Sequence, residues 1–143
     1  MQPKRKERGP PAISRSDLSL LPRAQKNFII ELDGCVCTVP KDGKKLTPED
    51  ALNAQPLVDA RDWINKKHDE GHLICFFTTR PEKLKKSTEK WLKSNGFRYH
   101  SLVMNKPIAR KYHYIDDRRV QATTFNGKFT PLVVKEETIQ VFG

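Results

Sequence analysis

Three short runs of mostly apolar residues, each followed by polar residues, predict the strands of a sheet. Residues 27–32 (NFIIEL) end at an Asp-Gly pair, and residues 72–77 (HLICFF) end at a Thr-Thr-Arg-Pro sequence. Residues 99–104 alternate between polar and apolar side chains and predict a third strand. Continuous apolar runs are typical of strands in parallel sheets, which are buried on both faces.

Two segments with helical spacing separate these runs. Leu57 to Asp69 places apolar residues on one stripe and stops before Gly71, and a second helix starts at Pro81 and stops at Gly96. Strands that alternate with helices predict right-handed crossovers and a parallel sheet covered on both faces. Ligands of such sheets bind at the carboxyl ends of the strands.

The remaining segments predict smaller elements. Residues 35–47 contain an Asp-Gly pair and predict a hairpin or flap with its turn at 41–44. Residues 107–111 predict one helical turn, 112–115 a fourth strand that ends at an Asp-Asp pair, and 120–143 one or two edge strands.

A length of 143 residues predicts one domain with tails. Residues 1–26 hold seven basic and two acidic residues, a balance of +5 in a chain with a formal charge of +10. With two prolines behind its basic cluster, this segment predicts an extended arm ahead of a domain over 27–143. The arm is either a solubilising tail or a polyanion-binding segment, and its candidate nucleic-acid contacts are Lys4, Arg5, Lys6 and Arg8.

The sequence predicts a soluble, intracellular protein, because it has no apolar run long enough for a bilayer and no secretory signal. A cytoplasmic location is expected, with organellar or nuclear targeting by the arm as alternatives. Three cysteines, Cys35, Cys37 and Cys75, predict reduced, packed thiols. The Cys-x-Cys pair could alternatively be half of a metal site, but no further ligands stand at supporting spacing.

Polar residues at the ends of the predicted strands are the candidate chemistry. They comprise four carboxylates, a hydroxyl and an ammonium: Glu31, Asp33, Thr78, Lys106, Asp116 and Asp117. Carboxylate oxygens suit Mg²⁺, which shares its coordination with phosphate, and a lysine and a hydroxyl would complete a phosphoryl site.

The order of these residues resembles the four motifs of the haloacid dehalogenase (HAD) superfamily. The segment from Glu31 to Cys35 matches Asp-x-Asp-Gly-Thr, and the other motifs match at Thr78 in FFTTR, Lys106 in NKP and the acidic pair of YIDDR. The resemblance covers about residues 27–125. It is greatest to small capless members and extends to phosphatase domains of nucleic-acid end-repair enzymes. It implies a Rossmann-type parallel sheet with flanking helices and no cap domain.

The resemblance also implies roles. Residue 31 would be the nucleophile, Asp33 the general acid and base, and Thr78 and Lys106 the phosphate clamps. The Mg²⁺ ligands would come from Glu31, Asp33, Asp116 and Asp117.

Two departures from the motif predict impaired turnover. Glu31 replaces the nucleophilic aspartate, and its extra methylene moves the carboxylate by about 1 to 1.5 Å, on a scale where a 1 Å error costs ~10²-fold in rate. Cys35 replaces the threonine. We therefore expect Mg²⁺ and phosphomonoester binding to outlast hydrolysis. The alternatives are an active phosphatase on a polynucleotide or protein substrate, and an inherited scaffold in which Asp33 and Asp116 cap loops and Lys106 pairs with them.

A stripe of lysines on the second predicted helix offers another candidate surface. The lysine ridge recurs at i, i+3, i+7 and i+10 and consists of Lys83, Lys86, Lys90 and Lys93. Most such runs are solvated helix faces. Together with the arm, the ridge could instead bind a phosphate backbone, as in a non-catalytic subunit of a ribonucleoprotein or other nucleic-acid assembly.

Overall fold

The computed structural model describes residues 24–39 and 45–130. The arm as far as residue 23, the predicted turn at 41–44 and the tail beyond residue 130 lie outside the described residues. Gln25 and Lys26, at the end of the predicted arm, do contact the domain: Gln25 donates to the Gly71 carbonyl and Lys26 N–H donates to His72.

Three parallel strands form the sheet, in the order β1-β2-β3. They are β1 (Asn27–Ile30), β2 (Leu73–Phe77) and β3 (Ser101–Val103), and Ile29 aligns with Cys75 in the register. The three apolar runs are thus confirmed as strands, each shorter than its run: β1 lacks the last two residues of its run, β2 lacks the first, and β3 lacks the first two and the last.

Both predicted helices are present, as α2 (Ala60–Asp69) and α3 (Lys85–Ser94), the latter preceded by a 3-10 turn (Glu82–Leu84). The sequence analysis missed α1 (Pro48–Asn53). Thr47 and Asp50 form a reciprocal capping box at its start, with Pro48 at the first helical position. This signal was present in the Thr-Pro-Glu-Asp sequence.

The core lies between the sheet and the helices α2 and α3. Ile64 of α2, Trp91 and Leu92 of α3, and Ile74 and Phe76 of β2 belong to one buried cluster. Both helices therefore cover the same face of the sheet. Connections between parallel strands are right-handed. When successive connections also run in the same direction across the sheet, as they do in the order β1-β2-β3, their helices lie on the same face.

The opposite face of the sheet is incompletely covered by the described residues. Ile29 and Val103 on this face are 49% and 45% exposed, and the β2 residues between them are only partly buried. The α/β fold with a parallel sheet and flanking helices is confirmed, and among the described residues the helices cover one face of the sheet. No described strand reverses the direction of the crossovers, and only such a reversal would bring a helix to the second face.

Two smaller predictions are also wrong. Residues 112–115 form no strand and residues 107–111 form no helical turn. Tyr114 and Ile115 are 55% and 81% exposed. The segment contains a single aliphatic residue between charged neighbours, which gives too little apolar surface to hold a strand against the sheet.

The chain beyond residue 120 returns to α2. Phe129 packs its ring 5.2 Å from that of Trp63, and Phe125 packs against Phe129 at 4.8 Å. Thr130 donates to Asp59 at the start of α2 from both its N–H and its hydroxyl. Residues 120–130 form no strand, so the predicted edge strands are not in the described part of the tail. None of the described helices is long and apolar enough to cross a membrane.

His100 gives the fold a pH dependence. Ile74 N–H donates to His100 Nδ1 at 3.0 Å, and the imidazole stacks on His68 at 4.8 Å. Burial, and then the charge of His68, lower the pKa of His100 from 6.5. Because the unfolded chain binds this proton more tightly than the folded protein, protonation favours unfolding. The contribution of His100 to the free energy of unfolding is complete above pH 6.5 and is lost as the pH falls through the folded-state pKa.

We expect the free energy of unfolding to decrease between pH 7 and pH 5, because the protonated ring can no longer accept the Ile74 N–H. Urea denaturation at the two pH values measures this. His100→Gln should reduce the dependence and His113→Gln, on an exposed loop, should preserve it. An unchanged pH dependence in His100→Gln would contradict the assignment.

Candidate functional site

A tight turn after β1 begins the site. The N–H groups of Cys35, Val36 and Cys37 all donate to the Leu32 carbonyl, and Gly34 N–H donates to the Cys37 carbonyl. Gly34 has φ of +85°, which an L side chain rarely adopts. The turn places residues 31 and 33 at the carboxyl end of the sheet.

Asp33 is bound by the guanidinium of Arg80, which follows β2. Arg80 Nε donates to Asp33 Oδ2 at 2.9 Å, and Nη2 donates to Oδ1 at 2.7 Å. The remaining nitrogen, Nη1, donates to the Thr88 hydroxyl of α3 at 2.9 Å. Burial alone would lower the pKa of Arg80, but the hydrogen bonds and charge of Asp33 outweigh it and raise that pKa. This bidentate pair is the strongest polar contact of the site.

Sequence reasoning missed Arg80. The residue is 3% exposed although it carries a full charge. The available signal was an arginine three residues after the end of an apolar strand. A buried arginine requires an anionic partner. The partner is 47 positions away, so its identity depends on the fold.

The Thr78 side chain, like that of Arg80, is packed inside the protein. It is fully buried, and its hydroxyl accepts the Arg80 N–H at 3.1 Å. Its hydroxyl makes a structural contact with the loop after β2. The role of Thr78 as a phosphate clamp stays a prediction.

The Cys37 thiol lies beneath the ion pair. It is fully buried and donates to Asp33 Oδ1 at 3.5 Å. Burial, followed by the charge of Asp33, raises the pKa of Cys37 to about 12, and burial also raises the pKa of Cys35. The thiols of Cys35, Cys37 and Cys75 are free, as predicted. Cys37 is therefore a packed thiol of the interior.

Glu31 and Lys106 form a second ion pair, nearer to solvent. Lys106 Nζ is 3.5 Å from Glu31 Oε2, and both side chains are 19% exposed. The other oxygen of Glu31 accepts the N–H of Leu32 at 2.9 Å. The structure thus brings together three of the predicted site residues, Glu31, Asp33 and Lys106, with Thr78 behind them.

Backbone contacts aim Lys106 at the site. Lys106 N–H donates to the Thr78 carbonyl at 2.8 Å, and Asn105 N–H donates to the Arg80 carbonyl at 2.8 Å. Asn105 has φ of +61°, a conformation that asparagine tolerates better than most residues. The chain therefore turns sharply after β3 and returns to the end of β2.

Asp116 and Asp117 lie in an exposed segment that belongs to none of the described strands or helices. Asp116 accepts from the Tyr114 hydroxyl at 2.7 Å and from Arg118 N–H at 3.0 Å, and these bonds, the tyrosine's first, lower its pKa to about 2. Within residues 24–39 and 45–130 no three His, Cys, Asp or Glu side chains are grouped to hold a metal. The strand that was expected to carry Asp116 and Asp117 to the end of the sheet is not formed among the described residues, and the Mg²⁺ site stays a prediction.

Comparison with known proteins supports the fold. No family model matches the sequence, and no curated protein is significantly similar to it. A chain of the Pnkp1/Rnl/Hen1 complex is 13% identical with a TM-score of 0.51, covering 71% of this chain and 36% of that one. A chain from Vibrio cholerae is 23% identical with a TM-score of 0.48, covering 68% of this chain and 84% of that one. A chain of the Pnkp1/Rnl/Hen1 RNA repair complex is 16% identical with a TM-score of 0.49, covering 66% and 32%. At these identities the likeness concerns the fold alone.

Removing one partner of the Asp33 and Arg80 pair should strongly destabilise the protein. We expect Arg80→Met to lower the free energy of unfolding by about 3 kcal/mol, because it leaves the Asp33 carboxylate without its two donors. Urea denaturation measures the loss. Arg98→Met is the matched control: Arg98 makes a similar fork to Asp69, but both side chains are about half exposed, at 50% and 55%, so little change is expected. Equal losses in the two variants would contradict a special role for the buried pair.

Proposed function

We propose that the chain is a HAD-type domain that binds a phosphomonoester at the carboxyl end of its sheet and does not hydrolyse it. The ordered motifs support the family, and the α/β fold agrees with it. Lys106 supports the binding: its ammonium is partly exposed at the edge of the sheet, on a backbone held by two hydrogen bonds. An ammonium so placed can donate to a phosphate oxygen in place of Glu31.

The single observation that carries the loss of hydrolysis is the fork between Arg80 and Asp33. In the HAD mechanism the residue at position 33 would have to deliver a proton to the leaving group and later remove one from water. Here both carboxylate oxygens accept from a buried guanidinium. Both oxygens of Asp33 are hydrogen-bond acceptors in the fork, so proton delivery by this side chain would require breaking its pair with Arg80.

Glu31 supports the same proposal. Its longer side chain reaches both the Leu32 N–H and Lys106, so its two oxygens are engaged within the site. A nucleophile must instead present a carboxylate oxygen in line with the phosphorus atom. Glu31 acts in this proposal as the internal anion that neutralises Lys106 until a phosphate displaces it.

Mg²⁺ is the part of the prediction that the described residues fit poorly. The oxygens of Asp33 face a guanidinium, those of Glu31 face an ammonium and a backbone N–H, and the two aspartates of YIDDR lie elsewhere. We therefore assign no step to a metal ion. Binding through Lys106 needs only charge complementarity.

Turnover and binding can be measured separately. With 4-nitrophenyl phosphate and Mg²⁺, we expect neither the wild type nor Glu31→Asp to hydrolyse the ester, because Asp33 stays bound to Arg80 in both. Inorganic phosphate should shift the side-chain NMR resonances of Lys106. Lys106→Met should weaken phosphate binding at least tenfold, since a hydrogen bond to a charged group contributes about 1.5–3 kcal/mol. Lys111→Met, nearby and exposed, should not.

Two results would overturn this proposal in different ways. Hydrolysis that Asp33→Asn abolishes would establish the alternative of an active phosphatase, whose macromolecular substrate could then be sought among phosphorylated oligonucleotides and proteins. Absence of phosphate binding by the wild type would leave the inherited scaffold, in which the ion pairs only hold loops together.

A second candidate function, nucleic-acid binding, is favoured by the lysine ridge. All four of its lysines are exposed, and none forms an ion pair with a described acidic residue. On the opposite side of the helix, Thr88 and Trp91 are buried, and Trp91 Nε1 donates to the Ala54 carbonyl at 2.7 Å. Trp91 is therefore a core residue, and the proposed contacts to a phosphate backbone depend on charge.

Charge reversal tests the ridge. We expect Lys86→Glu/Lys90→Glu to weaken binding of single-stranded RNA. The slope of the logarithm of the binding constant against the logarithm of the salt concentration should become shallower by ~0.7 per lost phosphate contact. Lys66→Glu/Lys128→Glu changes the net charge equally at exposed positions outside the ridge and should have a smaller effect. Equal losses in the two double variants, measured by fluorescence anisotropy over a salt series, would assign the binding to net charge alone.

A further inference from the structure

Lys106 has an aromatic neighbour that neither the motifs nor the proposed function assigns. Its Nζ lies 4.1 Å from the ring centroid of Tyr112 and 5.8 Å from that of Phe77. An ammonium within about 6 Å of a ring face is attracted to it, and the shorter of the two distances is well inside that range. The ammonium therefore has an anionic neighbour in Glu31 and an aromatic one in Tyr112.

The Tyr112 hydroxyl holds the loop that carries the ring. It donates to the Pro107 carbonyl at 2.6 Å and accepts the Ala109 N–H at 3.2 Å. Residues 107–111 form no helix, so these two bonds tie the start of the loop to its end. The phenol is thus fixed at its hydroxyl while its ring stays next to Lys106.

This arrangement is not explained by burial. Tyr112 is 49% exposed, so only part of its ring is removed from water by packing. Tyr114, two residues later, is similarly exposed, at 55%, but its hydroxyl donates to Asp116 and it has no described contact with the site. The two tyrosines share chemistry and exposure, and they differ in contact with Lys106.

We propose that Tyr112 is a positioning residue that holds the Lys106 ammonium beside Glu31, at the carboxyl end of the sheet. The role in ligand binding rests on the proposed function; the placement of Lys106 does not. The hydroxyl fixes the loop, the ring holds the ammonium from one side, and Glu31 attracts it from the other. When a phosphate replaces Glu31 as the anion, the ring keeps the ammonium in place, so less side-chain freedom is lost on binding.

Three variants separate the parts of the side chain. Tyr112→Leu removes the ring and the hydroxyl, Tyr112→Phe removes the hydroxyl alone, and Tyr114→Leu is the matched control. The first measurement needs no ligand: the NMR shifts of the Lys106 Hε protons, which an aromatic ring moves upfield when it lies close. The second is a titration of each variant with inorganic phosphate.

We expect the upfield shift in the wild type, its loss in Tyr112→Leu, its partial retention in Tyr112→Phe and no change in Tyr114→Leu. Phosphate affinity should fall between about 2-fold and 30-fold in Tyr112→Leu, the range that corresponds to a cation–π contact. The fall should be smaller in Tyr112→Phe, which keeps the ring, and absent in Tyr114→Leu.

The outcomes distinguish this inference from the proposed function. Hε shifts that are the same in the wild type and Tyr112→Leu would overturn the placement of Lys106 by Tyr112. A lost shift with unchanged phosphate affinity would overturn its role in binding. If the wild type binds no phosphate but its Hε shift depends on Tyr112, the proposed function fails and Tyr112 still positions Lys106. Circular dichroism of each variant confirms that an effect is not due to unfolding.

Discussion

The buried guanidinium of Arg80 ties three parts of the protein to one another. It binds the Asp33 carboxylate in the turn after β1, extends from the loop after β2, and donates to Thr88 on α3. A buried charge without a partner is strongly unfavourable, so each of these parts is constrained to remain where the guanidinium can reach it. The position of the site at the end of the sheet follows from this constraint.

The same constraint determines what the site can do. Asp33 is bound to Arg80 through both of its oxygens, although its side chain is 17% exposed. The other partly exposed pair of the site consists of Glu31 and Lys106, whose charged atoms lie 3.5 Å apart. A reaction in which Asp33 must give or take a proton would require breaking its pair with Arg80, which stabilises the fold. Binding of an anion at Lys106 would leave that pair intact.

The direction in which the chain crosses the sheet has a second consequence. With all described crossovers running from β1 towards β3, the helices lie on one face, and Ile29 and Val103 on the other remain about half exposed. The segment carrying Asp116 lies outside the sheet and forms its own local hydrogen bonds. Among the described residues no strand carries the pair Asp116 and Asp117 to the end of the sheet.

Apolar periodicity and glycine or proline stops are local properties, and they were enough to predict the three strands, the two long helices and the polar residues that follow β1, β2 and β3. The sequence by itself could not determine that Arg80 would bind Asp33 or that Tyr112 would lie over Lys106, since those partners are distant in the chain or depend on a loop without regular structure. The failure of the fourth strand has a similar origin. Alternation and β-propensity permit a strand at residues 112–115, but only burial against neighbouring elements stabilises one, and the tertiary structure does not provide it.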